Sequence, residues 1–183
     1  MMTSRLILRP WKESDLYPFA ELNADPRCME YFMSTRSFKE TKEEYERIVD
    51  DFQRHGFGFF ALSLIGGADF IGFTGLKYVP VEMPFAPAVQ IGWRLLFPYW
   101  GHGYATEAAK AALHYGFTTL QLPEIVSYTA MDNQRSRSVM ERIGMHHNPQ
   151  DDFDHPKVPI GHPLRKHVLY RISSPMLSSE PLF

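Results

Sequence analysis

The sequence predicts a mixed α/β fold, a single domain in which a central sheet is flanked by helices. Three observations carry that expectation. Segments with strand patterning and segments with helical stripes alternate along the chain. Residues 59–65 and 70–79 are β-rich runs separated by Gly66-Gly67-Ala68-Asp69, a hairpin signal. Residues 88–96 form a nearly continuous apolar run, as expected of a strand buried on both faces, and an alanine-striped helix follows shortly after it. The 183 residues are 44% hydrophobic and 14% aromatic, enough for one substantial core and too apolar for disorder.

Each element has a local reason. Residues 4–10 alternate around Leu6 and Leu8 and read as a first strand. Residues 15–23 place Leu16, Phe19, Ala20 and Leu22 at helical spacing. Residues 38–53 are charged with a sparse stripe of Tyr45, Ile48, Val49 and Phe52, the pattern of a surface helix, and Gly56 and Gly58 break it. After the hairpin, residues 80–87 make a proline-bearing connection, and Pro98 ends the apolar strand. Residues 104–120 are the most periodic helix, with Ala105, Ala108, Ala109, Ala112, Leu113 and Phe117 on one stripe. Those small residues imply close approach to a sheet or ligand. Residues 124–131 form another buried strand, 133–143 a short helix closed by Gly144, and 167–172 a final strand. Between the last two lie residues 145–166, with four prolines, four histidines and three aspartates, an irregular loop of a length that is usually functional or disordered. Residues 173–183 read as a loose tail outside a domain of residues 1–172.

Composition excludes some classes. Nineteen basic against twenty-one acidic residues leave a charge of −2, without the broad positive field of a nucleic-acid-binding domain. No apolar run is long enough for a bilayer, and Met1-Met2-Thr3-Ser4-Arg5 shows no signal-peptide pattern. The single cysteine, Cys28, excludes an intrachain disulfide framework and a zinc site built on several thiolates. The expectation is a cytoplasmic protein, monomer or homodimer, with neither nucleic-acid nor membrane partners.

The densest chemistry runs from Gln90 to Glu107: buried strand, glycine-bearing loop, helix start. A helix N-terminus presents unpaired N–H groups and a positive dipole end, so it receives phosphate. Gly101 and Gly103 let the backbone approach a pyrophosphate, and the plainer alternative is a turn whose glycines only relieve strain. A Rossmann fingerprint lacks its third glycine, because Thr106 stands there, and the Gly-Lys-Ser/Thr of a Walker loop is absent.

Three ordered motifs, Ile91-Gly-Trp-Arg-Leu95, Tyr99-Trp-Gly-His-Gly-Tyr-Ala-Thr-Glu107 and Asp132-Asn-Gln-Arg-Ser-Arg-Ser-Val-Met-Glu-Arg-Ile-Gly144, resemble the GNAT superfamily of acyl-CoA N-acyltransferases. The nearest branch by resemblance includes ribosomal-protein alanine N-terminal acetyltransferases. The likeness implies a mostly antiparallel sheet splayed between the strand ending near Leu96 and the strand 125–131, with acetyl-CoA as acyl-donor co-substrate. It implies that the strand matching Ile91 to Leu96, with Arg94, Leu95 and Leu96 among its cofactor-binding residues, binds the pantetheine arm through its backbone. Gly101, His102, Gly103, Tyr104, Ala105 and Thr106 would receive the pyrophosphate, with the cofactor-loop residue Trp100 standing where many members carry Gln or Arg and so leaving the backbone amides to do more. Asn133 would contact the cofactor near its thiol end, with Ser136 matching a serine of the branch; Asn133 also suits a helix cap.

The sequence departs from the superfamily at its acid/base positions. Gln90 stands near a common glutamate, and Met140 replaces a common tyrosine. A thioester is activated enough for direct attack by a neutral, aligned amine. Cys28 matches no motif, so an acyl-cysteine intermediate is not expected. The 145–166 loop helps enclose the acceptor in relatives, and Asp154, His155 and His162 are the candidates for binding the amine or taking its proton. Asp and His also brace proline-rich loops. A metal site from Asp151, Asp152, Asp154 and His155 fits no standard spacing, so no metal is expected. The expected reaction is acetyl transfer to a primary amine of unknown identity, small molecule or protein N-terminus, in a ternary complex. The missing acid/base residues also admit a catalytically weak CoA-binding sensor.

Overall fold

The computed structural model describes residues 1–174, so nearly all of the expected tail, residues 175–183, lies outside the described residues. Strands β1 (Leu6–Arg9), β2 (Phe59–Leu64), β3 (Gly72–Tyr78), β4 (Val89–Leu95), β5 (Glu124–Ala130), β6 (His146–His147), β7 (Phe153–Asp154) and β8 (Lys166–Ser173) build one sheet. Its order is β1-β2-β3-β4-β5-β8-β6, with β7 also paired to β8. Every pairing is antiparallel except β4 with β5. Helices α1 (Leu16–Ala24), α2 (Phe38–His55), α3 (Tyr104–Thr118) and α4 (Gln134–Arg142) flank it. Among the described residues, no helix is long and apolar enough to cross a membrane.

The helices begin and end where local chemistry dictates. Ser37 caps α2 through a capping box with Glu40, and Gly56 closes it in the left-handed conformation. In α3 the small residues form the buried stripe Ala108, Ala109, Ala112 and Gly116. A β-carbon at Gly116 would lie 2.7 Å from the Ile125 side chain and 2.8 Å from that of Leu76, so the helix rests directly on the sheet.

Directly paired residues of neighbouring strands share a face. Leu76, Ile91, Ile125, Val168 and Tyr170 face α3 and α4 in one core cluster. On the opposite face two separate clusters form. Phe19, Leu22 and Ile48 of α1 and α2 pack on Ala61 and Phe73. Met83 and Phe85 of the 80–87 connection, with Phe153, pack on Val126 and Leu169. Lys77 and Gln90, paired across β3 and β4, lie on this face.

The loop 145–166 is more ordered than expected. It contributes β6, β7 and two 3-10 turns, and the final strand extends to Ser173. Polar residues and short pairing lengths hide such strands, because two residues show no periodicity.

Candidate active site

The sheet opens between β4 and β5. The two strands share one register pair, Gln90↔Val126, and Ser127 Oγ donates to the Ile91 carbonyl at 3.0 Å. Beyond that point the strands part. Strand parity decides what the gap offers. Val79 N donates to Ala88 O at 2.8 Å and Leu96 N to Ile71 O at 2.9 Å. Even-numbered residues of β4 therefore turn their peptide groups to β3, and Ile91, Trp93 and Leu95 turn theirs towards β5. The Leu95 carbonyl accepts from Trp100 Nε1 at 2.8 Å and from Cys28 Sγ at 3.4 Å. Trp93 N–H, Trp93 C=O and Leu95 N–H face the gap, the donors and acceptor that an amide-bearing chain requires.

The gap leads to the glycine loop. After a 3-10 turn over Phe97–Tyr99, Gly101 (φ 77°) and Gly103 (φ 80°) both take the left-handed conformation. A β-carbon at Gly101 would meet nothing within 4 Å, so the approach is open. Gly103 caps α3 without a side-chain bond. The first-turn amides of Tyr104, Ala105 and Thr106 have no acceptor four residues back within the helix, whereas Glu107 N donates to Gly103 O. Arg5 flanks this cradle: it donates to His102 O at 2.9 Å, pairs with Glu107 at 2.6 Å and lies 4.7 Å from the Tyr104 ring centroid. Burial pushes the Glu107 carboxyl up, but hydrogen bonds from Thr3, Arg5 and Ser4 outweigh it and hold it below its ordinary value. Its charge is thereby matched by Arg5. These residues fit a pantetheine arm along β4 and a pyrophosphate on the loop.

Asn133 caps α4. Its side chain accepts from Ser136 N at 3.2 Å and donates to Thr129 Oγ1 at 2.8 Å, so the cap uses the amide at both ends. Across the gap mouth, Tyr31 OH donates to Asp132 O at 3.2 Å. Arg135 pairs with Glu30 and lies 4.8 Å from the Trp100 ring centroid.

Arg94 is not brought to the gap. Its peptide faces β3, and its guanidinium lies on the opposite face, 3.1 Å from Glu44 and 2.7 Å from Met29 Sδ. Phe32 and Phe73 surround it, Nε has no partner, and burial pushes its pKa down against the pull of Glu44. Leu96 spends its N–H on Ile71. Within the Ile91–Leu96 strand that the resemblance assigns to the pantetheine arm, Trp93 is the residue that turns both peptide groups to the gap, and counting parity from the hairpin singles it out.

The acceptor-loop candidates are engaged in bracing. Asp154 pairs with Arg165 at 3.1 Å. His155 Nδ1 accepts from Lys157 N at 3.2 Å, and His162 Nδ1 from Leu164 N at 3.1 Å, which caps the turn Pro163–Arg165. A neutral imidazole whose Nδ1 accepts carries its proton on Nε2, so the lone pair that would take a proton is already used. Burial, then Lys157, pushes the His155 pKa down. Asp151 pairs with Arg171 and Asp152 with His147.

Two residues that the sequence left unmarked, Tyr128 half-buried and His167 buried, lie on the same face. Tyr128 follows the last β4–β5 pair by two positions, and burial raises its pKa. His167 lies among Tyr128, Phe153 and His155, with burial lowering its pKa to about 4.

The splayed mixed sheet, with a free-amide strand beside a glycine-capped helix, is a fold of the acetyltransferase (GNAT) class. Residues 5–146 match the family model described as an acetyltransferase (GNAT) domain. The chain belongs to the GNAT acetyltransferase family. It is 29% identical to the uncharacterized protein YkkB of Bacillus subtilis (strain 168), over 81% of this chain and 86% of that one. It is 30% identical to the FsC-acetyl coenzyme A-N(2)-transacetylase of Aspergillus fumigatus, over 79% of this chain and 64% of that protein. Among solved structures, an acetyltransferase from Agrobacterium tumefaciens superposes with TM-score 0.76 at 29% identity, covering 94% of this chain and 92% of that chain.

Proposed function

We propose that the protein is an acetyl-CoA-dependent N-acetyltransferase that moves the acetyl group directly to a primary amine within a ternary complex. The observation that carries this reading is the parting of β4 from β5 after Gln90, which leaves the Trp93 peptide facing a gap that runs to the amides of residues 104–106. The name of the Aspergillus relative, an acetyl coenzyme A transacetylase, supports the same donor.

When bound, acetyl-CoA supplies an acyl group already activated as a thioester. Trp93 N–H would be placed to donate to a carbonyl oxygen in the gap and to stabilise charge developing there. Gln90, which cannot ionise, stands at the rung where the strands part. Burial of Cys28 raises its thiol pKa, and its S–H is spent on Leu95 O, which supports direct transfer over an acyl-cysteine. The reading includes a cytoplasmic monomer or homodimer in the ribosomal-protein-alanine acetyltransferase-like branch, with protein N-termini among the acceptors to be tried.

Thermal melts with acetyl-CoA, CoA and NAD test the donor, and thiol release against a panel of amines and peptide N-termini tests the reaction. Both CoA species should raise Tm and NAD should not. No shift with either CoA species sinks the assignment, and binding without turnover across the panel favours a CoA sensor.

A further inference from the structure

Lys77 stands one strand from the point where the sheet opens. It pairs directly with Gln90, and Gln90 pairs with Val126 in the last rung before β4 and β5 part. Its side chain therefore lies on the face that carries Gln90 and Tyr128, between the two clusters that leave this face divided. A cavity of about 210 Å³ opens beside it, lined by Asp51, His55, Phe57, Lys77, Tyr78 and Pro80. The Lys77 stem is half-buried and its ammonium lies 5.5 Å from the Phe59 ring centroid.

Among the described residues, no carboxylate comes within ion-pair distance of this ammonium. Asp51, on the α2 wall of the same cavity, stays beyond pairing distance, and Glu44 is spent on Arg94 and Arg36. Lysines in such settings ordinarily find a counter-charge or reach solvent. Burial pushes this one below its ordinary pKa, with Asp51 and Glu44 pulling it up and Arg47 and Lys157 pushing it down. An anion entering the cavity would supply the missing partner.

Resting on the acetyltransferase reading above, we propose that Lys77 receives a carboxylate of the acceptor, so that the amines acetylated are small molecules that also carry a carboxylate group. The amine end then extends past Gln90 towards the gap while the carboxylate stays on Lys77. A polyamine would instead bring an ammonium to a cation, the worst partner for this cavity.

The experiment compares matched pairs with the full chain: glycine, β-alanine, γ-aminobutyrate, L-leucine and L-methionine, each against its amide. Wild type should favour at least one acid over its amide by about tenfold to a hundredfold in kcat/KM, the size of one charge-assisted hydrogen bond. Lys77→Met should remove that preference through KM, Lys77→Arg should restore part of it, and the KM for acetyl-CoA should hold in both. Equal use of acid and amide by wild type overturns the proposal, as does a preference that survives in Lys77→Met. A fall in kcat on acid and amide alike makes Lys77 a proton acceptor and also overturns it. If no amine is acetylated, the proposed function fails separately. Lys77 is then judged by melts in the presence of CoA: the same acids should stabilise wild type and not Lys77→Met, and equal shifts overturn the assignment.

Discussion

Ala105→Pro isolates one amide of the glycine-loop cradle. Ala105 is the second residue of α3, and its N–H has no helical acceptor, because the i→i−4 ladder begins with Glu107 N on Gly103 O. Proline is tolerated in a first turn for that reason, so the substitution removes a donor without removing a helix bond. The stability cost should stay near 1 kcal/mol, from crowding of the preceding residue. If the amide donates to a phosphate oxygen, its loss should cost about 1.5–3 kcal/mol of binding, a weakening of roughly ten- to a hundredfold. Titration calorimetry with CoA reads that change directly, and a melt without ligand confirms that the variant is folded. Ala105→Gly, which keeps the N–H, should bind CoA within about fivefold of wild type, since helix propensity at one position is worth about 1 kcal/mol at most. A folded Ala105→Pro with unchanged CoA affinity would refute the cradle and move the pyrophosphate elsewhere.

Two further outcomes concern the face of the sheet opposite α3. Glu44→Ala leaves the Arg94 guanidinium, 7% exposed, without its carboxylate. A loss of about 3–5 kcal/mol is expected, which corresponds to roughly 6–20 °C in Tm, and Arg94→Met in the same chain should recover much of it; a drop under about 1 kcal/mol contradicts the pairing. For His167, burial lowers the folded pKa to about 4, so the unfolded chain takes up its proton first as pH falls. Stability should therefore decline between roughly pH 6.5 and pH 4, by up to about 3 kcal/mol, and His167→Asn should flatten that limb of a denaturation series; an unchanged slope means that another group carries it.

Much of the architecture was legible because its periodicities are strong. The alanine stripe of α3, the Gly66 hairpin and the apolar β4 all follow from side-chain patterns, and the glycine loop follows from backbone chemistry that only glycine supplies. The three motifs then located the gap. What stayed hidden depends on pairing between distant segments. Arg94 looked like a cofactor residue because it lies in a motif, but parity turns its peptide to β3 and its side chain to Glu44, fifty positions earlier. His155 and His162 looked like bases because histidine is the usual proton acceptor near neutral pH, but each ring nitrogen that would accept is taken by an amide two residues on. Lys77 reads as an ordinary polar position of a strand, and only the register beside Gln90 gives it a place.

The alternation along β4 has a consequence for how such a protein diversifies. Even positions, Gln90 and Arg94, send side chains to the face opposite α3, and odd positions, Trp93 and Leu95, send peptide groups towards the gap. Peptide groups are the same whatever residue carries them. On the proposed reading, side chains that meet the acceptor can drift while the donors that meet the thioester arm persist, as long as no residue is inserted or deleted. One inserted residue would exchange the two sets and lose both at once. Substitution is therefore the mild change in this strand and a shift of register the lethal one, which lets one scaffold keep its donor through long divergence while its acceptors change.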